Sequence, residues 1–254
     1  MAVQIAGPEE LVAEAAERLL PEPDDLELGP AAHTGRPLRG YGISAARAPD
    51  RWDLRIDGEA VQRGVEREAV LHRIESDAKI VVTSRATAVA FVHAGVVAWD
   101  GRALVLPGRT HAGKSTLVEA LLAAGATYFS DDYAVLDDEG RVWPCPLRLA
   151  RRRADGRRDL IPLDALDAEI GRAPVPLGWV LETWYEAGAA LAPRPLSPAE
   201  TALVLLRNAP AARVAPGDVL RRLARACRGG RGLSGARGEA GPESLRILGT
   251  ILAD

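Results

Sequence analysis

Arg102-Ala-Leu-Val-Leu-Pro-Gly-Arg-Thr-His-Ala-Gly-Lys-Ser115 decides how this chain is read. Arg102 to Leu106 is a short apolar strand. Pro107 to Gly113 is a glycine-rich loop, and Lys114 to Ala124 reads as a helix closed by Gly125 at C′. Inside this stretch, Gly108-Arg109-Thr110-His111-Ala112-Gly113-Lys114-Ser115 matches G-x-x-x-x-G-K-[ST], and Thr116 follows it. Each part has a use. The glycines let successive backbone N–H groups curl around phosphate oxygens. The lysine reaches the outer phosphates as a point charge, and the serine hydroxyl ligates Mg²⁺. From the chain's own residue frequencies the pattern is expected by chance roughly 0.001 times in this length. The stretch Gly108 to Thr116 is therefore read as a nucleotide phosphate site. His111 sits at a variable position of the loop and reads as solvent-facing.

Upstream, Phe91-Val-His-Ala-Gly-Val-Val-Ala-Trp99 is a strand, and Asp100-Gly101 is a strong two-residue hairpin signal. With that turn, Trp99 faces Arg102, and counting down the strands puts His93 level with Gly108. A histidine at the mouth of a phosphate site can orient or assist a neighbouring base. On the residues alone this stands level with a plainer reading, a histidine satisfied in a hairpin core.

Downstream, Ser130-Asp131-Asp132 follows a short strand, Thr127 to Phe129. The helix between predicts a right-handed crossover that sets this strand beside the phosphate-loop strand. One carboxylate of the pair suits Mg²⁺ and the other suits a proton from an attacking hydroxyl. Asp137-Asp138 is followed by Glu-Gly and reads as a plain turn.

The remainder sets bounds. The chain has 254 residues, 47% hydrophobic and 26% charged, so it folds around a core of its own. Net charge is −3, no apolar run is long enough for a membrane helix, and the acidic N-terminus lacks a signal peptide's basic and apolar regions. Cys145 and Cys227 have no metal-ligand partners at useful spacing, which fits a reducing cytoplasm. Of 32 basic residues only Lys79 and Lys114 are lysines. Where arginine has replaced lysine almost everywhere, each surviving lysine raises a question about its chemistry.

The pattern predicts an α/β fold: a mixed sheet carrying the phosphate loop, an N-terminal α/β extension over 1–85, and a catalytic domain over 86–254 with a helical C-terminal part. Helices are expected over the first twenty residues, Glu66 to Lys79, Ser197 to Leu206, Gly217 to Cys227 and Ser244 to Leu252. The Gly/Arg-rich stretch Arg228 to Gly241 reads as a mobile loop.

His93-Ala-Gly, Gly108 to Ser115 and Ser130-Asp131-Asp132, in this order and spacing, resemble the catalytic core of the HPr kinase/phosphorylase family. The likeness is to short bacterial members, some of which accompany lasso peptide clusters. It covers residues 88 to 148. It implies the mixed sheet shared with ATP-dependent phosphoenolpyruvate carboxykinase, and transfer of the ATP γ-phosphate to a hydroxyl. It implies that Lys114 contacts phosphates, Ser115 and Asp131 hold Mg²⁺, Asp132 is the general base toward a serine, and His93 assists it. It also implies a protein or peptide acceptor and a homo-oligomer. The family's downstream glutamate-arginine-glycine signature has no counterpart in Arg151 to Asp159, which argues against HPr as acceptor and against the reverse reaction.

Arg148, Arg151, Arg152, Arg153, Arg157 and Arg158 cluster after the acidic pair. They read as a solvated loop or as an anion or acidic-peptide contact. Without interleaved aromatics, and at a pI of about 5.9, nucleic acid is a poor third. Two alternatives to a protein kinase stay open: an ATP-binding regulator with little turnover, and a small-molecule kinase using residues 149 to 196.

Overall fold

A computed structural model describes residues 3–19, 39–108, 113–152 and 158–253. The first segment is α/β. Strand β1 (Val3–Ala6) and helix α1 (Glu9–Leu19) lead to β2 (Arg39–Ala45), β3 (Trp52–Ile56), β4 (Glu59–Val65) and α2 (Arg67–Arg85). The four strands form one sheet in the order β1-β2-β3-β4. Leu11 and Ala15 of α1 and Val70, Leu71, Ile74 and Ala78 of α2 bury their apolar faces against Tyr41, Ile43, Leu54 and Ile56. The second helix runs past Lys79 to Arg85, because no glycine or proline stops it there.

The second segment begins with the hairpin β5 (Ala90–Trp99) and β6 (Arg102–Pro107). Its register pairs Trp99 with Arg102 and Ala94 with Pro107, as the turn predicts. Asp100 and Gly101 carry φ of 47° and 72°, the left-handed geometry this turn requires. Helix α3 (Lys114–Ala123) starts after Gly113 and is followed by Gly125, φ 96°. Then come β7 (Thr127–Ser130), β8 (Tyr133–Leu136), β9 (Arg141–Trp143) and the hairpin β10 (Leu149–Arg152) with β11 (Arg158–Ile161).

The chain closes with β12 (Val175–Tyr185), β13 (Arg194–Leu196), α4 (Pro198–Arg207), α5 (Pro216–Ala226), β14 (Arg231–Arg237) and α6 (Pro242–Ala253). The large sheet has the order β13-β14-β12-β6-β5-β8-β9, with β7 also on β5. The end strand β9 pairs back onto the start of β12, so this sheet curls on itself. Strand alternation splits the core. Val92, Val96 and Val105 face α4 and α5, whereas Val97, Leu104 and Leu106 face α3 and α6.

Three expectations need correction. The first twenty residues are not all helical: Val3–Ala6 is strand β1, paired in parallel with β2, and the helix starts at Glu9. β7 does not lie beside the phosphate-loop strand, because β12 occupies that edge of β6 in parallel. Instead β7 and β8 run end to end along the outer edge of β5, pairing Val96 with Ser130 and His93 with Tyr133. The register continues across the break, so Asp131 and Asp132 sit opposite Gly95 and Ala94. The C-terminal part is also not simply helical. It supplies β12, β13 and β14, and the expected loop Arg228 to Gly241 holds β14, parallel to β12. The glycines of β14 serve packing rather than mobility. A Cβ on Gly235 would come within 2.9 Å of Pro193 Cα, and one on Gly232 would collide with Thr201.

Candidate active site

The phosphate-loop helix reaches the acidic pair through Gly95. A Cβ there would lie 2.7 Å from Val118 Cγ2, so glycine lets α3 settle onto β5 opposite Asp131. Gly113 is the N-cap of α3, in the left-handed region at φ 75° and with no side-chain cap. A Cβ on Gly113 would strike the Arg237 guanidinium. The backbone N–H groups at the start of α3 thus have no capping side chain, as a helix end that receives an anion requires. Arg109, Thr110, His111 and Ala112 lie outside the described residues.

A cavity of about 630 Å³ opens here, lined by Gly113, Lys114, Ser115 and Thr116 on one side and by Asp131 and Asp132 on its floor. Lys114 Nζ donates to Gly108 O at 2.8 Å and lies 3.4 Å from His93 Nε2. His93 Nδ1 lies 2.8 Å from Asp132 O and 3.2 Å from Asp132 Oδ1. Both neighbours of Nδ1 are acceptors, so the proton belongs on Nδ1, and Nε2 presents its lone pair to Lys114. His93 therefore lines the cavity between Lys114 and Asp132.

The two carboxylates differ. Asp131 is 7% exposed and accepts from Ala150 N at 2.9 Å, with the Tyr128 hydroxyl at 3.4 Å. Burial, with the charge of Asp132 adding to it, raises its pKa to about 6 against the Ala150 hydrogen bond. Burial would raise Asp132 too. Its bonds to His93 and Lys79 overcome that and hold it far below the usual carboxylate range. Burial lowers the pKa of Lys114, and the nearby charges of Asp132 and Asp131 work against that shift.

Sequence reasoning missed three contributors. Lys79 of α2 donates to Asp132 Oδ2 at 2.7 Å and to Glu75 at 2.8 Å. Burial works against its charge, but Asp132 and Glu75 carry its pKa above the ordinary value. The scarcity of lysine was the one available signal. Arg237, buried at the end of β14, donates to Gly113 O at 2.8 Å. It lay hidden in a stretch read as a loop. Glu75, which partners Lys79, carried no signal at all.

The rim is made of ion pairs. Arg18 joins α1 to Glu68 of α2 at 2.9 Å, Arg148 reaches Glu17 at 3.4 Å, and Arg151 reaches Glu119 at 2.9 Å. The cavity thus draws on both segments, 1–85 and 86–254. Of the remaining arginine cluster, Arg153 and Arg157 lie outside the described residues. Cys227 is buried and Cys145 half-buried; burial pushes their thiols up to about 11 and about 12.

A phosphate chain fits these donors: a lysine, a glycine-started helix end and a buried arginine behind the loop. A hard cation fits the oxygens of Ser115 and Asp131, which both line the cavity. Among the described residues no cluster of three or more His, Cys, Asp or Glu is placed to hold a metal. No helix among the described residues is long and apolar enough to cross a membrane.

No family model and no curated relative matches the chain. Among solved structures it is similar to the Hpr(Ser) kinase/phosphatase from Coxiella burnetii, at 16% identity over 64% of this chain and 93% of that chain, with a TM-score of 0.36. At that score the likeness carries no weight for the site, whose chemistry rests on its own residues.

Proposed function

We propose that the chain is a Mg·ATP-dependent kinase that moves the γ-phosphate to a hydroxyl, a serine, of a protein or peptide. One observation carries this reading: a line of contacts from the phosphate-loop lysine through His93 to Asp132, on the floor of an open cavity. Phosphoryl transfer asks for that arrangement, a cation at the outer phosphates with a carboxylate beside it to receive the acceptor proton.

Lys114 and the first N–H groups of α3 hold the phosphates. Arg237 braces the loop through Gly113 O. Asp132 accepts the hydroxyl proton, with its orientation set by His93 Nδ1–H. A strongly acidic carboxylate is adequate here, because in a loose transition state the proton leaves late and orientation outweighs basicity. Ser115 and Asp131 would hold Mg²⁺, which when bound neutralises charge on the phosphate oxygens. Most of the acceleration comes from positioning and charge compensation.

The Lys79–Asp132 ion pair also favours a second reading, an ATP-binding regulator, because a paired carboxylate is a poor proton acceptor. The test is purified protein with Mg²⁺ and γ-labelled ATP, incubated with lysate fractions and with peptides encoded beside the gene, alongside Lys114→Ala. Label reaching one peptide or protein over many turnovers, and lost in the variant, supports the kinase. Tight ATP binding without transfer to any fraction replaces it with the regulator.

A further inference from the structure

The chain's two lysines, the only ones among 32 basic residues, converge on one carboxylate. Lys114 approaches Asp132 from the phosphate-loop side through the His93 imidazole, at 3.4 Å and then 3.2 Å. Lys79 approaches it directly from α2, at 2.7 Å. On that helix Glu68, His72, Glu75 and Lys79 are spaced four, three and four residues apart. They form one stripe, and all four line the cavity. The adjoining face of the helix, Val70, Leu71, Ile74 and Ala78, is buried in the core of the first segment. The stripe is therefore held toward the phosphate site by packing.

Asp132 poses an electrostatic problem there. A nucleotide seated on Lys114 brings its terminal phosphate close to this carboxylate. In a partly desolvated cavity, like charges a few ångströms apart repel strongly. We propose that Lys79 is a positioning residue for the phosphate site: it neutralises and anchors Asp132 so that a terminal phosphate can be accommodated beside it. The inference rests on reading the cavity as a nucleotide site. It also accounts for the choice of residue. A compact ammonium with rotatable donors fits between Glu75 and Asp132, whereas the planar fork of arginine, used almost everywhere else in the chain, needs more room.

The test compares two probes, Mg·ADP and the non-hydrolysable Mg·AMP-PNP, by calorimetry on the 254-residue chain. Lys79→Met is expected to bind Mg·ADP within about threefold of wild type and to lose roughly tenfold for Mg·AMP-PNP. Adding Asp132→Asn removes the stranded charge, and the double variant is expected to recover Mg·AMP-PNP binding to within about threefold. A merely structural lysine would show neither the selectivity nor the rescue. Wild-type protein with ¹⁵N-lysine supplies a second readout that needs no variant to fold, since it carries only two lysine side chains. Mg·ADP is expected to move the Lys114 signal and Mg·AMP-PNP to move both. Wild type that binds both nucleotides while Lys79→Met keeps their affinity ratio, the double variant fails to recover, or the Lys79 signal ignores Mg·AMP-PNP, overturns the inference. Wild type that binds neither nucleotide overturns the reading of the site itself.

Discussion

Two of the chain's Asp-Asp pairs, Asp131-Asp132 and Asp137-Asp138, begin six positions apart, and they have opposite fates. Asp137 accepts four hydrogen bonds, from Glu139 N, Arg141 N, Arg141 Nε and Trp143 Nε1, all within six residues. It closes the turn between β8 and β9, and Asp138 reaches out to Arg222. Asp131 and Asp132 instead interrupt the strand line of β7 and β8, and their partners come from far along the chain. Ala150 is 19 residues away, His93 is 39 and Lys79 is 53. The dipeptide is the same in both places, but its surroundings differ. A carboxylate satisfied by its own turn is finished. One held by distant elements on the floor of a cavity is placed there at a cost, and sites of chemistry are built that way.

The comparison breaks most decisively at Asp132. Asp132→Asn should lower phosphate transfer by about 10³-fold while ATP binding stays within a few-fold. A variant that transfers label normally in the γ-labelled ATP assay would return Asp132 to a structural role. Next comes Asp137→Ala, which strands the buried Trp143 Nε1–H and should cost about 3 kcal/mol in chemical denaturation. Transfer per folded molecule should not change; a loss there would mean the turn also serves the site.

Asp131→Asn should give a smaller effect of opposite sign. Its folded pKa of about 6 lies above the usual 3.8, so the native state binds this proton more tightly than the unfolded chain does. The associated stability is full below pH 4 and is lost as pH rises through 6. At pH 7 in the absence of metal and nucleotide, the asparagine variant should therefore be the more stable by about 2 kcal/mol. Its advantage in Tm should shrink steadily from pH 7 to pH 5, and a constant difference would show that the carboxylate is not the source. The smallest effect belongs to Asp138→Ala. Its carboxylate is half exposed in the ion pair with Arg222, so the loss should stay below about 0.5 kcal/mol and transfer should be unaffected.

Most of the candidate site's layout was legible because its signals are local. The Asp100-Gly101 turn fixes the β5–β6 register, and that register alone places His93 level with Gly108. The capping box at Ser197 and Glu200 announces α4 by the same kind of short-range logic. What failed was long-range. The parallel pairings β12–β6 and β12–β14 leave no turn between neighbours to read, so the neighbour of the phosphate-loop strand was misassigned. The glycines and arginines of 228–241 resembled a loop because their packing partners, Thr201 and Pro193, lie elsewhere in the chain.

Residues 91 to 136 thus determined for themselves a hairpin, the helix that starts at Lys114 and an acidic break, since each depends on neighbours a few positions away. Only the tertiary structure decided that Lys79 would meet Asp132 across 53 residues and that Arg237 would meet Gly113 across 124. Those contacts exist because the buried face of α2 and the parallel seam of β14 fix where each strand and helix ends. That placement is a property of the packed core, not of any local run of sequence.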